Sequence, residues 1–294
     1  MKTLSNSQLK KIVRIALNED LEKLGDITSN NVLSKRDRAT FHFVSREKGT
    51  LCGIDIAKIV YELLDEEVKF TSYKKDGDKI KTRDIIAKVE GPAISLLTGE
   101  RTALNFLTHL SGISTSTSIM VGLISKTKTK ILCTRKTTPG LRNIEKYAVK
   151  VGGGINHRKG LYDAILIKDN HIAIAGSISN ALNKVKKIKN KFKIEIEVDN
   201  LKQFKEALKF NPDVIMLDNF KINQLKKAVK MGKNKVVLEA SGKIDFSNVI
   251  RIAETGVDYL SSGWITHSSK SLDIGLDLIN TCLLYTSDAA DDQA

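Results

Sequence analysis

The sequence predicts an α/β protein in two parts, a mixed helix-and-strand N-terminal domain and a parallel sheet with barrel-like βα spacing. Two observations carry this. A regular strand–helix alternation starts near residue 130 and is absent from the first hundred residues, and the pattern changes at Pro92, where a helix-breaking residue stands between the two regimes. A chain of 294 residues with 41% hydrophobic content is long enough to bury a core in each part, which excludes a disordered or collagen-like chain.

Taken in order, Leu9, Ile12, Val13, Ala16, Leu17 and Leu21 form a helical stripe over 6–24. Strand-like runs follow at 39–45, 66–72 and 84–90, and Ile56, Ile59, Val60 and Leu63 mark a helix over 54–64. Residues 94–125 read as a long helical stretch broken near Gly112. Six short apolar runs then recur at 131–133, 164–167, 193–198, 213–217, 235–240 and 258–262. Helical patterns such as 201–210, 221–231 and 246–254 separate most of them. The repeat of about 20 to 30 residues is that of a βα barrel, although a full barrel has eight strands and a doubly wound open sheet satisfies the same pattern.

Charge and cysteine usage narrow the class. The formal net charge is +14, but 38 Lys are scattered along solvated faces while four of the 10 Arg (Arg101, Arg135, Arg142 and Arg158) fall within 101–158. Arg suits bidentate binding of carboxylate or phosphate, so this concentration points to a small anionic ligand. Aromatics at 5% that avoid the Lys-rich stretch argue against nucleic acid. Cys52, Cys133 and Cys282 are widely spaced and contain no CxxC pair, which argues against a disulfide framework and fits a reducing cytoplasm. No apolar run approaches the roughly 18 residues of a membrane span, and the N-terminus has no apolar signal core. Residues 282–294, CLLYTSDAADDQA, break the Lys/Asn/Ile character of the rest and read as an appended, non-native tail.

In βα barrels chemistry gathers at the C-terminal strand ends, where loops and helix N-termini meet. Here those ends carry Thr134-Arg135-Lys136, Lys168-Asp169-Asn170-His171, Glu195 with Glu197, Asp218-Asn219, Glu239 with Ser241-Gly242, and Ser262-Gly263. A polar residue after one strand is ordinary turn chemistry, but six such ends form a division of labour. Arg135, Lys136, Arg158 and Lys168 are cations for carboxylates or pyrophosphate. Glu197 and Asp218 suit sugar hydroxyls or Mg²⁺, and the two Ser-Gly pairs offer N–H groups to a terminal phosphate. The triplet Gly152-Gly153-Gly154 reads as a flexible turn more readily than as a phosphate cradle.

At these residues the chain resembles a known family. TRKTTPGLR (134–142), GGGINHRKGLYDAILIKDNH (152–171), IEVDNL (196–201), IMLDN (215–219), EASG (239–242) and TGVDYLSSGWITHS (255–268) are similar to quinolinate phosphoribosyltransferase, the carboxylating nicotinate-nucleotide pyrophosphorylase. GDITS (25–29) and LLTGERTALNFLTHLSGIST (96–115) extend the resemblance to nearly residues 5–280. It implies an N-terminal α/β sandwich domain over 1–112, an incomplete, about seven-stranded parallel α/β barrel over 113–270, and a C-terminal helix over 271–281 that packs back.

It also implies transfer of phosphoribosyl from 5-phosphoribosyl 1-pyrophosphate to quinolinate, with Mg²⁺, giving nicotinate mononucleotide, CO₂ and pyrophosphate on the de novo route to NAD. A dimer or hexamer is implied, in which Arg101 reaches the partner's site. Thr134, Arg135, Lys136, His157, Arg158 and Lys168 would line the quinolinate and pyrophosphate region. Glu197 and Asp218 would hold the ribose hydroxyls with the metal nearby. Ser241, Gly242, Lys243, Ser262, Gly263, Trp264 and His267 would line the 5-phosphate end, and catalysis would rest on Lys136, Lys168, Glu197 and Asp218.

Two positions depart from the family pattern. Cys133 stands where Asp commonly precedes TRKT, and reads as a small core residue. Lys243 stands where a second Gly commonly follows EASG, so a side chain replaces a glycine beside the phosphate loop. His171, at a helix start, suits capping as well as catalysis; His109 reads as a hydrogen-bonded core residue, and packing is the ordinary reading of Trp264. The competing functions are a paralogue of the same fold without quinolinate activity, such as the ModD-type proteins of molybdenum transport loci, and a basic, non-enzymatic RNA-binding protein.

Overall fold

A computed structural model describes residues 5–188 and 191–279. In the N-terminal part, α1 (Asn6–Leu21) starts at a capping box in which Ser5 and Gln8 satisfy each other's backbone N–H, and the Asp26 carboxylate caps α2 (Ile27–Val32). Then follow β1 (Arg38–Ser45), β2 (Gly49–Thr50), α3 (Ile54–Leu64), β3 (Lys69–Ser72), β4 (Lys79–Ile80) and β5 (Ile85–Pro92). β2 and β4 form a small antiparallel ribbon. β1, β5 and β3 belong to an antiparallel sheet whose inner face meets α3: Phe43 of β1 lies 6.3 Å from the Tyr61 ring and 5.6 Å from Phe70, centroid to centroid.

Helix α4 (Ala93–Leu123) starts immediately after Pro92 and runs without interruption for 31 residues, so the division at 112/113 falls inside a helix. The expected break at Gly112 is absent. The glycine serves another purpose there, because a Cβ at 112 would lie 2.2 Å from the Lys270 carbonyl oxygen. The missing side chain lets the chain at 270–271 cross the helix at backbone distance.

The second part continues with β6 (Lys130–Leu132), α5 (Arg142–Val151), β7 (Ile165–Ile167), α6 (Asp169–Ala175), α7 (Ile178–Val185), β8 (Ile194–Val198) and α8 (Leu201–Leu208). It ends with β9 (Val214–Asp218), α9 (Ile222–Gly232), β10 (Val237–Ser241), α10 (Val249–Ala253), β11 (Tyr259–Ser261) and α11 (Trp264–His267). The six strands form one parallel sheet in the order β6-β11-β10-β9-β8-β7. Ile155 adds an isolated parallel bridge to Leu132 on the free side of β6, so the seventh position of the incomplete barrel is one residue long. Sequence explains the layering. Strand residues such as Ile196, Ile215, Leu217 and Leu260 are fully buried, and flanking helices turn apolar residues inward, as Phe204 and Ala207 do in α8.

Residues 271–281 do not form the expected helix within the described range. Ile274–Leu278 is a strand, β12, paired antiparallel with β1 (Phe43 opposite Leu276) at the edge of the N-terminal sheet, which therefore reads β12-β1-β5-β3. The period of IGLDL is two, with Ile274 and Leu276 against the core and Asp277 paired to Arg46 on the other side. The chain does pack back, but as a strand. Residues 280–294, with Cys282 and the tail, lie outside the described residues.

Helix α4 offers a direct comparison of two glycines. Gly112→Ala is expected to lose about 1–3 kcal/mol in urea unfolding, through the clash with the Lys270 carbonyl. Gly122→Ala, where a Cβ meets nothing within 4 Å, is expected to be neutral or stabilising by up to ~1 kcal/mol. Equal effects would show that the crossing at 270–271 does not constrain the helix.

Candidate active site

Parallel register brings the strand ends to one level. Asp218 pairs with Ser241, Ser241 with Ser261, and Ser261 with Leu132, so the residues that follow emerge on one rim. The rim encloses a cavity of about 920 Å³. Thr134, Arg135, Lys136, His157, Arg158, Lys168, Glu197, Asp218, Ser241, Gly242, Lys243, Gly263, Trp264 and His267 all line it. Two expected residues do not. Ser262 is fully buried and its hydroxyl donates to the Ile244 carbonyl at 2.6 Å, because the residue after β11 turns away from the mouth. Arg101 is exposed on α4, outside the cavity of its own chain.

The loop after β6 is held from several sides. Thr134 Oγ1 accepts the Lys136 N–H at 3.0 Å, and Thr266 Oγ1 donates to the Lys136 carbonyl at 2.7 Å. Arg142 reaches Thr137 Oγ1 at 3.0 Å and the Lys159 carbonyl at 3.3 Å, so it braces two loops and does not enter the cavity. The fully buried Glu145 accepts the Thr138 N–H at 3.2 Å and contacts His109 Nε2 at 2.9 Å, which makes His109 the hydrogen-bonded partner of a loop support. His171 Nδ1 accepts the Lys168 N–H at 2.9 Å across the first turn of α6, a capping contact.

At one end of the cavity the cations outnumber their partners. Among the described residues Arg135 Nε and Arg158 Nε are both buried without a hydrogen-bond partner, although Arg158 Nη1 donates to the Ala164 carbonyl at 3.2 Å. Burial, and then the charge of Arg135, press the Arg158 guanidinium pKa down. Two half-buried guanidiniums that repel each other, each with a buried Nε donor left over, have the chemistry to take a multiply charged anion.

His157 lies on the floor beside them. Its Nδ1 accepts the Arg158 N–H at 2.8 Å and its Nε2 sits 2.9 Å from Glu195 Oε2, with Glu239 Oε1 at 3.7 Å. These carboxylates raise the imidazole pKa against its burial, yet a proton on Nδ1 would face the Arg158 N–H. The neutral Nε2–H tautomer satisfies both nitrogens. His157, Glu195 and Glu239 are the one group of three potential metal ligands among the described residues. Burial, and then the Glu195 charge, push the Glu239 carboxyl far up, so the pair holds a proton, and Ser261 donates to Glu239 as well. Among the described residues Glu195 Oε1, on the same cluster, is buried with no hydrogen-bond partner.

Also on the rim, Lys168 Nζ lies 3.5 Å from Glu197 Oε2. Burial raises the Glu197 pKa; Lys168 opposes this and the nearby Asp218 charge adds to it. Farther along, Gly242 has φ +107° and a Cβ there would fall 2.2 Å from Asn219 Oδ1, so only glycine fits. Lys243 follows at φ +48°, the left-handed region that a glycine would occupy without strain. Gly263 leaves room for Lys136 Cδ and the His267 ring, which its Cβ would meet at 2.9 and 3.1 Å. Trp264 does both things open to it, packing edge-on against Phe246 at 4.6 Å and facing the cavity.

Leu166, Met216, Ile244, Asp245 and Ser261 also line the cavity without a local sequence signal, and Asn219, at the Asp218-Asn219 strand end, joins them. Met216 pairs with Glu197 and Leu166 with Glu195, so both share the inward face with a glutamate. Alternation along the strands carries that signal, but only once the register is known.

Comparison with known proteins agrees with this geometry. Residues 113–277 match the family model described as Quinolinate phosphoribosyl transferase, C-terminal domain, and residues 26–111 match its N-terminal domain. A Bacillus subtilis protein named probable nicotinate-nucleotide pyrophosphorylase [carboxylating] is 42% identical over 276 residues, 94% of this chain and 95% of its own. A Mycobacterium leprae protein named nicotinate-nucleotide pyrophosphorylase [carboxylating] is 43% identical over 274 residues, 90% of this chain and 95% of its own. A crystal structure of nicotinate-nucleotide pyrophosphorylase from Ehrlichia chaffeensis superposes with a TM-score of 0.90 at 46% identity, covering 94% of this chain and 99% of that one. The chain, in both its parts, belongs to the quinolinate phosphoribosyltransferase family.

Proposed function

We propose that this cavity transfers the phosphoribosyl group of 5-phosphoribosyl 1-pyrophosphate to quinolinate with loss of CO₂, giving nicotinate mononucleotide and pyrophosphate for de novo NAD synthesis. The observation that carries the reading is the pair Arg135 and Arg158, whose buried Nε donors have no partner and whose charges repel. A pyridine dicarboxylate satisfies both at once, and two fixed forks orient the ring as well as bind it.

The quinolinate ring nitrogen is already a nucleophile, so attack on the anomeric carbon needs orientation and no general base. As pyrophosphate departs, positive character grows on the ribose, facing the carboxylates of Glu197 and Asp218, while Lys136 and Lys168 offset the charge on the leaving group. Once the ring nitrogen is quaternary, the C–C bond to the adjacent carboxylate breaks. Its electron pair stays on the ring carbon beside the positive nitrogen and is quenched by a proton, while CO₂ leaves. At the far end Ser241, Gly242, Gly263 and His267 suit the 5-phosphate, with backbone N–H groups close to the mouth.

Mg²⁺ fits the same site. Glu197 and Asp218 are hard oxygen donors; burial, and to a lesser degree the Asp218 charge, raise the Glu197 pKa, and a divalent cation would offset both. Bound there, the ion would supply charge neutralisation for pyrophosphate. Arg101, exposed on α4 and outside its own cavity, suits a second copy of the chain, so the working form is read as a dimer or larger assembly. A cytoplasmic setting suits the buried free thiols of Cys52 and Cys133.

Purified protein supplied with quinolinate, phosphoribosyl pyrophosphate and Mg²⁺ is expected to release nicotinate mononucleotide and CO₂ in equal amounts, with no product when nicotinate replaces quinolinate. Product from nicotinate alone, or from neither acid, would overturn the reading. Removal of divalent metal by EDTA is expected to abolish turnover, and added Mg²⁺ to restore it.

Two substitutions divide the roles. Arg158→Ala is expected to raise KM for quinolinate about 10- to 100-fold through loss of charge-assisted hydrogen bonds, while Lys136→Ala lowers mainly kcat. Equal losses in both parameters for both variants would count against this division.

Glu239→Gln tests the proton shared on the floor. A carboxyl whose folded pKa is raised binds more protons folded than unfolded, so its contribution to stability falls as pH rises above the ordinary carboxyl range. The Gln variant lacks that fall, and its stability relative to wild type is expected to grow with pH. A pH-independent difference in urea midpoints would show that Glu239 is ionised in the folded protein.

A further inference from the structure

Lys146, on α5, is 3% exposed, and among the described residues its ammonium forms no ion pair, although its charge reaches Asp163 and lowers that carboxyl's pKa after burial and backbone hydrogen bonds have acted. Its two hydrogen bonds run to the Cys133 sulfur at 3.1 Å and to the His157 carbonyl at 2.9 Å. A thiol is a weak acceptor, and a buried charge outside any ion pair costs stability that a methionine of similar length would not. Stability alone gives no reason for a lysine here.

Position does. Cys133 directly follows β6 and precedes Thr134-Arg135-Lys136, while His157 precedes Arg158. The two segments are joined by a single bridge, in which the Cys133 N–H donates to the Ile155 carbonyl at 3.1 Å and the Ile155 N–H to the Ile131 carbonyl at 2.8 Å. The ladder ends there, one residue short of the substrate loop on one side and two short of His157 on the other. Beyond it, Asn156 Oδ1 meets the Cys133 sulfur at 3.3 Å, and Lys146 is the tie that reaches the His157 carbonyl itself.

We infer that Lys146 is a positioning residue, a pin whose ammonium bridges the Cys133 sulfur and the His157 carbonyl and so sets the separation of Arg135 and Arg158, and with it the fit of a dicarboxylate. The inference rests on the quinolinate reading of the cavity. It assigns a purpose to the Cys133 departure as well, since the sulfur takes one end of a contact that a carboxylate of similar reach would also accept.

Calorimetric titration of the full chain with quinolinate, and separately with phosphoribosyl pyrophosphate and Mg²⁺, tests the pin. Lys146→Met is expected to weaken quinolinate binding at least 10-fold and to leave phosphoribosyl pyrophosphate binding within about twofold, with a thermal midpoint equal to or above wild type. Cys133→Val, which removes the sulfur and fills its space, is expected to weaken quinolinate alone by a smaller factor, and it carries the test if Lys146→Met does not fold. Cys133→Asp restores an acceptor while neutralising the charge, so it is expected to bind quinolinate within about threefold of wild type. A loss there as large as in Lys146→Met would overturn the pin, because charge and not spacing would then govern affinity. Wild-type affinity in both Lys146→Met and Cys133→Val, or equal weakening of both ligands, would overturn it too. No binding of quinolinate by the wild-type chain would overturn the functional reading and this inference together, whereas unaffected variants beside a binding wild type would overturn this inference alone.

Discussion

The register of the parallel sheet is the constraint on which the site depends. Asp218, Ser241, Ser261 and Leu132 lie side by side across four strands, so the groups just beyond them are delivered to one rim without any loop having to travel far. A slip of one residue in any strand would exchange its inward and outward faces and remove that strand's contribution to the site. Burial prevents the slip. Ile196, Ile215, Leu217 and Leu260 are fully buried and cannot be exchanged for their polar neighbours without exposing apolar surface and burying charge. The chemistry at the mouth is therefore fixed by the apolar residues beneath it.

The site itself works against stability. Among the described residues Arg135 and Arg158 leave buried Nε donors unused and Lys146 is a buried ammonium outside any ion pair, while Lys243 holds a left-handed backbone that its side chain disfavours. Such features persist only where the surroundings over-determine them. Here the surroundings are one hydrophobic cluster that runs from Leu9 on α1 through the barrel strands to Ile274 on β12, with polar ties such as Glu145 to Thr138 set into its edge.

Much of this was legible in the sequence, and what was missed has a common physical cause. The six apolar runs became the six parallel strands because each is buried on both faces, a state that leaves a strong local signature. Fourteen of the candidate residues line one cavity, because strand ends can be read from where those runs stop. The misreadings concern long-range neighbours. Gly112 looked like a helix break, yet its partner is the backbone at Lys270, 158 residues away in sequence and invisible to local pattern. Ser262 looked like its neighbour Gly263, but the turn after β11 points its hydroxyl to Ile244. β12 stands in place of the expected helix because its pairing partner, β1, lies at the other end of the chain.

That last pairing bears on how the two parts act as one molecule. The N-terminal sheet gains an edge strand from the C-terminal end, and α4 passes from one part into the other without a break. Between them, Asp76 of the first part accepts the Tyr147 hydroxyl of α5 at 2.9 Å while its other oxygen caps the start of α3. Burial raises the Asp76 pKa even as those hydrogen bonds lower it, the balance of a carboxylate placed for its geometry and not for solvation. With Asp76 gripping α5, and α5 in turn carrying Glu145 and Lys146 to the substrate loop and to the His157 segment, a contact at the domain boundary lies one helix away from the arginine pair. Glu145 and Lys146 belong to the barrel part, and the N-terminal part contributes the Asp76 contact that holds the helix carrying them.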